Sequence, residues 1–267
     1  MAGHAATVGL SGDPVHVVVH KLLGSDTPEG RRKFWGEMGK QMTLARLPGV
    51  LAPPVIDATA NEYVRPWVPG ENLETHIAVH PEEAEQRADE LLEICRVLRK
   101  VPAPGDCEPL PSYVGRLVLH ARDTVEERRD AEYAQLVGAM AKSEIWACPG
   151  FSHGDLNLQN VIVDPDGRLW LIDPLLNPCE TPWWDIGKLL QSTYVNWAAL
   201  RAGQVEPPAP HLRAMAERFL QEDRGLGLFF LFLVLLRILR HAPSQAMKAA
   251  VLHEALRVGW DHVDAVS

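Results

Sequence analysis

Two hydrophobic periods divide the chain. Near its start, Val15–His20 reads VHVVVH, a β-branched run that follows the turn-like SGDP and ends at Lys21, which predicts a strand. Thr27-Pro28-Glu29 opens a predicted helix in which Phe34, Met38, Met42 and Ala45 recur at helical spacing until Pro48-Gly49 stops the run. Val55-Ile56 and Glu62–Trp67 predict two short strands, and VPGEN at Val68–Asn72 predicts a hinge between two lobes. From Leu73 the period becomes helical. A helix is expected from Pro81 to Lys100, with Leu91, Leu92, Cys95 and Leu98 on its apolar face. A proline-rich loop follows at Val101–Pro111, then a charged helical region at Tyr113–Met140. Asn160–Val163 and Leu169–Ile172 flank the turn DPDG and predict a β-hairpin inside this helical half. The remaining residues read as helices, interrupted by VEPPAPH at Val205–His211.

The expected fold is therefore α+β: a small mixed lobe at residues 1–69 and a larger, mainly helical lobe at residues 70–267. Gly225–Leu236, GLGLFFLFLVLL, is too short for a membrane span, which needs about 17–25 residues, and Arg224 and Arg237 bracket it closely. It predicts a buried core helix and no stable membrane insertion. Core and dimer interface share this composition, so the oligomeric state stays open.

Composition narrows the class. The 267 residues are 46% apolar and 23% charged, which excludes a disordered chain, and the net charge of −9 argues against general nucleic-acid binding. Cys95, Cys107, Cys148 and Cys179 show no CxxC spacing, so reduced structural thiols are expected rather than zinc or a redox pair. The first residues lack a signal-peptide pattern, so the expected location is cytoplasmic.

The chemistry concentrates in FSHGDLNLQNVIVDPDGRLWLIDP, residues 151–174. Asp155 follows His153-Gly154, Asn160 stands at the start of the strand VIV, and Asp173 ends the partner strand LWLI. The hairpin brings those two strand ends toward one another. Asn160 and Asp173 can then share a small hard cation such as Mg²⁺, which favours oxygen ligands and phosphate partners. Asp155 can orient a hydroxyl and accept its proton. The plain alternative, a polar turn, accounts for any one of these residues but poorly for all three at this spacing.

This segment resembles the small-molecule branch of the protein-kinase-like fold, the aminoglycoside phosphotransferase and choline kinase-like family. The family's H-G-D-x-x-x-x-N loop matches His153, Gly154, Asp155 and Asn160; its metal-binding Asp, thirteen residues after that Asn, matches Asp173; and its later W/D pair matches Trp184-Asp185. The resemblance implies that Asp155 is the catalytic base, that Asn160 and Asp173 bind Mg²⁺, and that His153 and Asp185 support the loop. The family's aromatic residue after the metal Asp is here Pro174. Farther upstream, Lys21 matches the lysine that binds nucleotide phosphates and Glu37 the glutamate that holds it. The segment EYVRPWVPG resembles the hinge, with Tyr63, Val64 and Trp67 as candidates near the purine. The resemblance spans residues 15–240.

The expected activity is transfer of the γ-phosphoryl of ATP or GTP to a hydroxyl of a small molecule: an aminoglycoside, amino alcohol, sugar or natural product. Glu126, Glu127, Asp130 and Glu132 would suit a cationic acceptor but also read as a solvated helix face. Trp183, Trp184 and Trp197 would pack a sugar ring or fill the core. The family has two strands and a covering loop before its lysine strand, whereas only twenty residues precede Lys21. That leaves an abbreviated lobe, a gene start set too late, or a kinase-like regulatory protein that binds a nucleotide or metabolite with little catalysis.

Overall fold

The structure is a computed structural model that describes residues 8–11, 17–102, 108–109, 130–140, 142, 145–177, 180–239 and 241–267. Its strands are β1 (Val8–Ser11), β2 (Val18–Leu22), β3 (Asp57–Ala58), β4 (Glu62–Pro66), β5 (Glu71–Asn72), β6 (Glu108–Pro109), β7 (Trp146–Ala147), β8 (Val161–Val163) and β9 (Leu169–Leu171). Its helices are α1 (Pro28–Leu44), α2 (Leu73–Val79), α3 (Ala84–Arg99), α4 (Asp130–Met140), α5 (Pro182–Thr193), α6 (Trp197–Arg201), α7 (Pro210–Leu220), α8 (Arg224–Leu239) and α9 (Gln245–Val266). Residues 12, 107, 113–129 and 179 lie outside the described set. With them go part of the charged helical region, Glu126 and Glu127, and the surroundings of two cysteines.

Contacts divide the chain into two compact units, Met1–His80 with His153–Pro178, and Pro81–Ser152 with Cys179–Ser267. The hairpin segment, which the sequence places in the second lobe, thus joins the first unit. Backbone pairing is the reason: β8 pairs with β5, and Leu171 N donates to Leu51 O at 2.8 Å.

The first unit holds an antiparallel sheet of order β1-β2-β4-β3. Its register sets Lys21 opposite Val8 on one side and Tyr63 on the other. Side chains alternate across a strand, so Val19 and Lys21 turn inward while His20 is half-buried. α1 starts where Thr27 caps it, the Thr27 hydroxyl accepting from Gly30 N at 3.1 Å. The predicted apolar stripe is rotated. The fully buried positions are Phe34, Glu37, Lys40, Gln41 and Leu44, with Met38 and Met42 only half-buried. This inward face is polar, so hydrophobic periodicity cannot find it. The second sheet, β5-β8-β9, closes on the turn predicted at DPDG. Asp164 braces that turn, accepting from the backbone N–H groups of Asp166 and Arg168, from Arg168 Nε and from the Trp170 indole. Burial alone would raise the Asp164 pKa, but these bonds prevail and hold it down to about 2.

The second unit is built on helices. α8 contains the apolar run, and every residue from Gly225 to Leu236 is buried. No described helix is long and apolar enough to cross a membrane. Gly187 on α5 lets α8 approach closely: a Cβ there would lie 2.7 Å from the Phe230 carbonyl carbon. Trp184 is fully buried and therefore core. Trp183 is half-buried and carries the Arg99 guanidinium 4.3 Å over its ring. Cys95 is a free, buried thiol, whereas Cys148 is disulfide-bonded. The expectation of reduced thiols fails at Cys148, because sequence spacing does not report which cysteines meet in space.

Candidate active site

The site grows from the His153–Asp155 loop in the first unit. Gly154 has φ +92°, and a Cβ there would lie 2.0 Å from Leu175 O. Only glycine lets the loop seat against the segment that follows Asp173. Leu175 N donates to His153 O at 2.9 Å, which fastens the two stretches. The His153 ring is completely buried. Its Nε2 lies 3.0 Å from Ile172 O, and its Nδ1 accepts from Asp155 N at 3.3 Å. These partners fix a neutral imidazole protonated at Nε2. Burial pushes its pKa down to about 4, against the opposing pull of Asp155.

Asn157 organises the next turn, its side-chain oxygen accepting from Gln159 N at 2.9 Å and Asn160 N at 3.2 Å. Asn160 Nδ2 in turn donates to Asp155 O at 2.8 Å and to Asp155 Oδ2 at 2.9 Å. Two acceptors require the amide nitrogen on that side, which leaves Asn160 Oδ1 available as an oxygen ligand. Ile172 N donates to Asn160 O at 3.0 Å, so Asn160 lies beside the strand end that leads into Asp173.

Asp173 has φ +56°, the only positive value at a non-glycine among the described residues. The following proline disfavours the right-handed α region there. A left-handed non-glycine costs about 1–3 kcal/mol and persists where surroundings fix it. Those surroundings are cationic. Asp173 Oδ1 lies 3.5 Å from Lys21 Nζ and 3.4 Å from an Arg65 guanidinium nitrogen. Lys21 also lies 3.8 Å from Glu37 Oε2. Burial alone would lower the Lys21 pKa, but Tyr63, Asp173 and Glu37 outweigh it and the net shift is upward. Burial raises the Glu37 pKa, with Lys21 pulling it back.

The structure thus brings Lys21, Glu37 and Asp173 into one cluster, and His153, Asp155 and Asn160 into the adjoining loop. Tyr63 is buried opposite Lys21, its ring 5.5 Å from that of Phe34. Val64 is half-buried, and its carbonyl accepts from Ile56 N at 2.9 Å. Trp67 is 47% exposed and walls a cavity of about 310 Å³ with Pro53, Pro54, Pro69, Asp164 and Trp170. Asp185 belongs to the second unit and is fully buried in the first turn of α5.

Two cations escaped the sequence reading. Arg65 shares an inward strand face with Tyr63, a position that strict alternation from Tyr63 would have flagged. Lys40, three residues after Glu37 on α1, is buried and donates to Leu175 O at 2.8 Å.

Residues 36–218 match the profile of APH, the phosphotransferase enzyme family. No curated protein matches the chain in sequence. Solved structures share its fold. Aminoglycoside phosphotransferase APH(4)-Ia, in a ternary complex with AMP-PNP and hygromycin B, is 12% identical with a TM-score of 0.62, over 99% of this chain and 92% of that one. A protein from Thermobifida fusca described as a candidate fructosamine-3-kinase is 16% identical with a TM-score of 0.60, over 96% and 93%. Choline kinase LicA from Streptococcus pneumoniae is 16% identical with a TM-score of 0.55, over 97% and 92%. The protein-kinase-like α+β fold expected from the sequence is the fold observed.

Proposed function

The chain belongs to the phosphotransferase enzyme family, and on that premise we propose that it transfers the γ-phosphoryl of ATP or GTP to a hydroxyl of a small molecule, with Mg²⁺. The observation that carries this reading is the cluster of Lys21 and Arg65 on one oxygen of Asp173, with the Asp155–Asn160 pair in the adjoining loop. The donor set fits a hard cation. Asn160 Oδ1 and Asp173 Oδ2 have no partner among the described residues, and both are oxygens of the kind Mg²⁺ prefers. When bound there, Mg²⁺ neutralises charge on the phosphates.

The chain's own residues supply position and field, which dominate phosphoryl transfer. Lys21 binds the phosphates, and Glu37 fixes its ammonium. Asp155, held by Asn160, orients the acceptor hydroxyl and takes its proton. His153 joins the loop to the strand before Asp173 without carrying a charge of its own. The hinge contacts of Tyr63, Val64 and Trp67, the bracing role of Asp185, residues 1–69 as the nucleotide lobe and a cytoplasmic location complete the proposal.

The acceptor class is an aminoglycoside, amino alcohol, sugar or natural product. Hygromycin B in the APH(4)-Ia complex is one acceptor scaffold to test, and choline another. The deciding experiment incubates the protein with ATP or GTP, Mg²⁺ and a panel of hydroxylated compounds, and follows phosphorylated product by mass spectrometry. A phosphorylated product that disappears in Asp155→Asn supports the proposal. No product and no nucleotide binding would refute it.

A further inference from the structure

Arg65 is the least expected charge in the first unit. It lies on β4 with Tyr63, is 4% exposed, and among the described residues its guanidinium reaches only Asp173 Oδ1, at 3.4 Å. Its Nε is buried without a partner among the described residues. A guanidinium carries five donors in a fixed fork, and a buried donor left unpaired is costly. Such a group signals an anion that belongs beside it. The same oxygen of Asp173 lies 3.5 Å from Lys21. Two buried cations therefore share one carboxylate oxygen, while Glu37 offsets only the Lys21 side, at 3.8 Å.

Resting on the phosphotransferase reading above, we propose that Arg65 is a second cation of the phosphate site, which makes divalent-metal binding at Asp173 conditional on nucleotide phosphates. A divalent ion arriving alone at the other oxygen of Asp173 would meet Lys21 and Arg65 across a few ångströms of protein, where like charges repel strongly. Phosphates arriving with it bring negative charge for both cations and an acceptor for the unpaired Nε. Arg65 so acts as a positioning residue toward Asp173 and as a favourable charge toward the nucleotide. Its two effects have opposite signs for the two partial ligands, and a scaffold role would weaken both.

The test separates metal from nucleotide. Wild type, Arg65→Met, Arg65→Gln and Arg65→Lys are titrated with Mn²⁺ alone by electron paramagnetic resonance, and with ADP in EDTA by calorimetry. Circular dichroism selects the neutral variant that keeps the wild-type fold. In that variant Mn²⁺ alone is expected to bind roughly tenfold tighter and metal-free ADP roughly tenfold weaker, the scale on which one neighbouring charge shifts an ionic equilibrium. Arg65→Lys keeps the charge and should stay within about threefold of wild type for both. If both affinities fall together, or neither moves, or neither neutral variant folds while Arg65→Lys also loses both ligands, the inference is wrong. A wild type that binds neither Mn²⁺ nor ADP would instead refute the phosphotransferase reading itself.

Discussion

The side-chain nitrogen of Asn160 reaches both the backbone oxygen of Asp155, at 2.8 Å, and its carboxylate Oδ2, at 2.9 Å. One amide therefore fixes the carboxylate expected to act as base and turns its own oxygen the other way, where the proposed Mg²⁺ would bind. Substitution can separate these two consequences.

Asp155→Asn keeps the side-chain shape and removes the proton acceptor. Its kcat is expected to fall by about 10²–10⁴, the usual contribution of a positioned base, with an unfolding midpoint close to wild type. Asn160→Ala should lower kcat and also raise the Mg²⁺ concentration needed for half-maximal activity, since it would lose the hydrogen bonds to Asp155 and a proposed metal ligand together. An ADP-release assay over a Mg²⁺ series, with thermal unfolding beside it, checks both.

Lys21→Met should weaken nucleotide binding and destabilise the fold by on the order of 2 kcal/mol at neutral pH. That is less than the roughly 3–5 kcal/mol for breaking a tight buried pair. The Lys21–Glu37 separation is long, and Lys33 still lies 3.8 Å from Glu37. The penalty should shrink as pH falls, because Glu37, already raised by burial, then takes a proton and no longer needs the lysine. Denaturant unfolding at pH 7.5 and pH 5 measures the difference. An equal penalty at both would contradict the pairing.

His153 adds a second pH-dependent contribution to stability. Its native pKa, about 4, lies below the ordinary histidine value of about 6.5. Between those values the unfolded chain holds a proton that the native state does not. Stability should therefore fall as pH drops through this window, by up to about 1.4 kcal/mol per pH unit. His153→Gln cannot titrate, so the difference between its pH–stability curve and that of wild type isolates the contribution. Parallel curves would show that the ring is not buried neutral.

Gly154→Ala tests the loop geometry. The left-handed backbone alone costs a non-glycine about 1–3 kcal/mol, and the added Cβ would meet Leu175 O at 2.0 Å. Loss of both stability and turnover is expected, exceeding that of Gly39→Ala, where the space is open. Thermal unfolding of the two variants side by side decides it.

What the sequence determined by itself was local. The helix opening at Thr27-Pro28-Glu29, the strand ending near Lys21, the DPDG turn and the buried run in α8 follow from short-range spacing and composition, and the structure places them within a few residues of expectation. The order His153, Asp155, Asn160, Asp173 was equally legible, because a hairpin that joins two strands brings their ends together whatever surrounds it. Tertiary structure decided the rest. Lys21 and Arg65 meet Asp173 across 152 and 108 positions of chain. No period encodes such distances; they arise from sheet register and from how the hairpin segment packs into the first unit. The polar inward face of α1 was hidden for the same reason. Glu37 and Lys40 face inward because partners elsewhere in the chain offset the cost of burying charge, and a hydrophobic pattern cannot record partners.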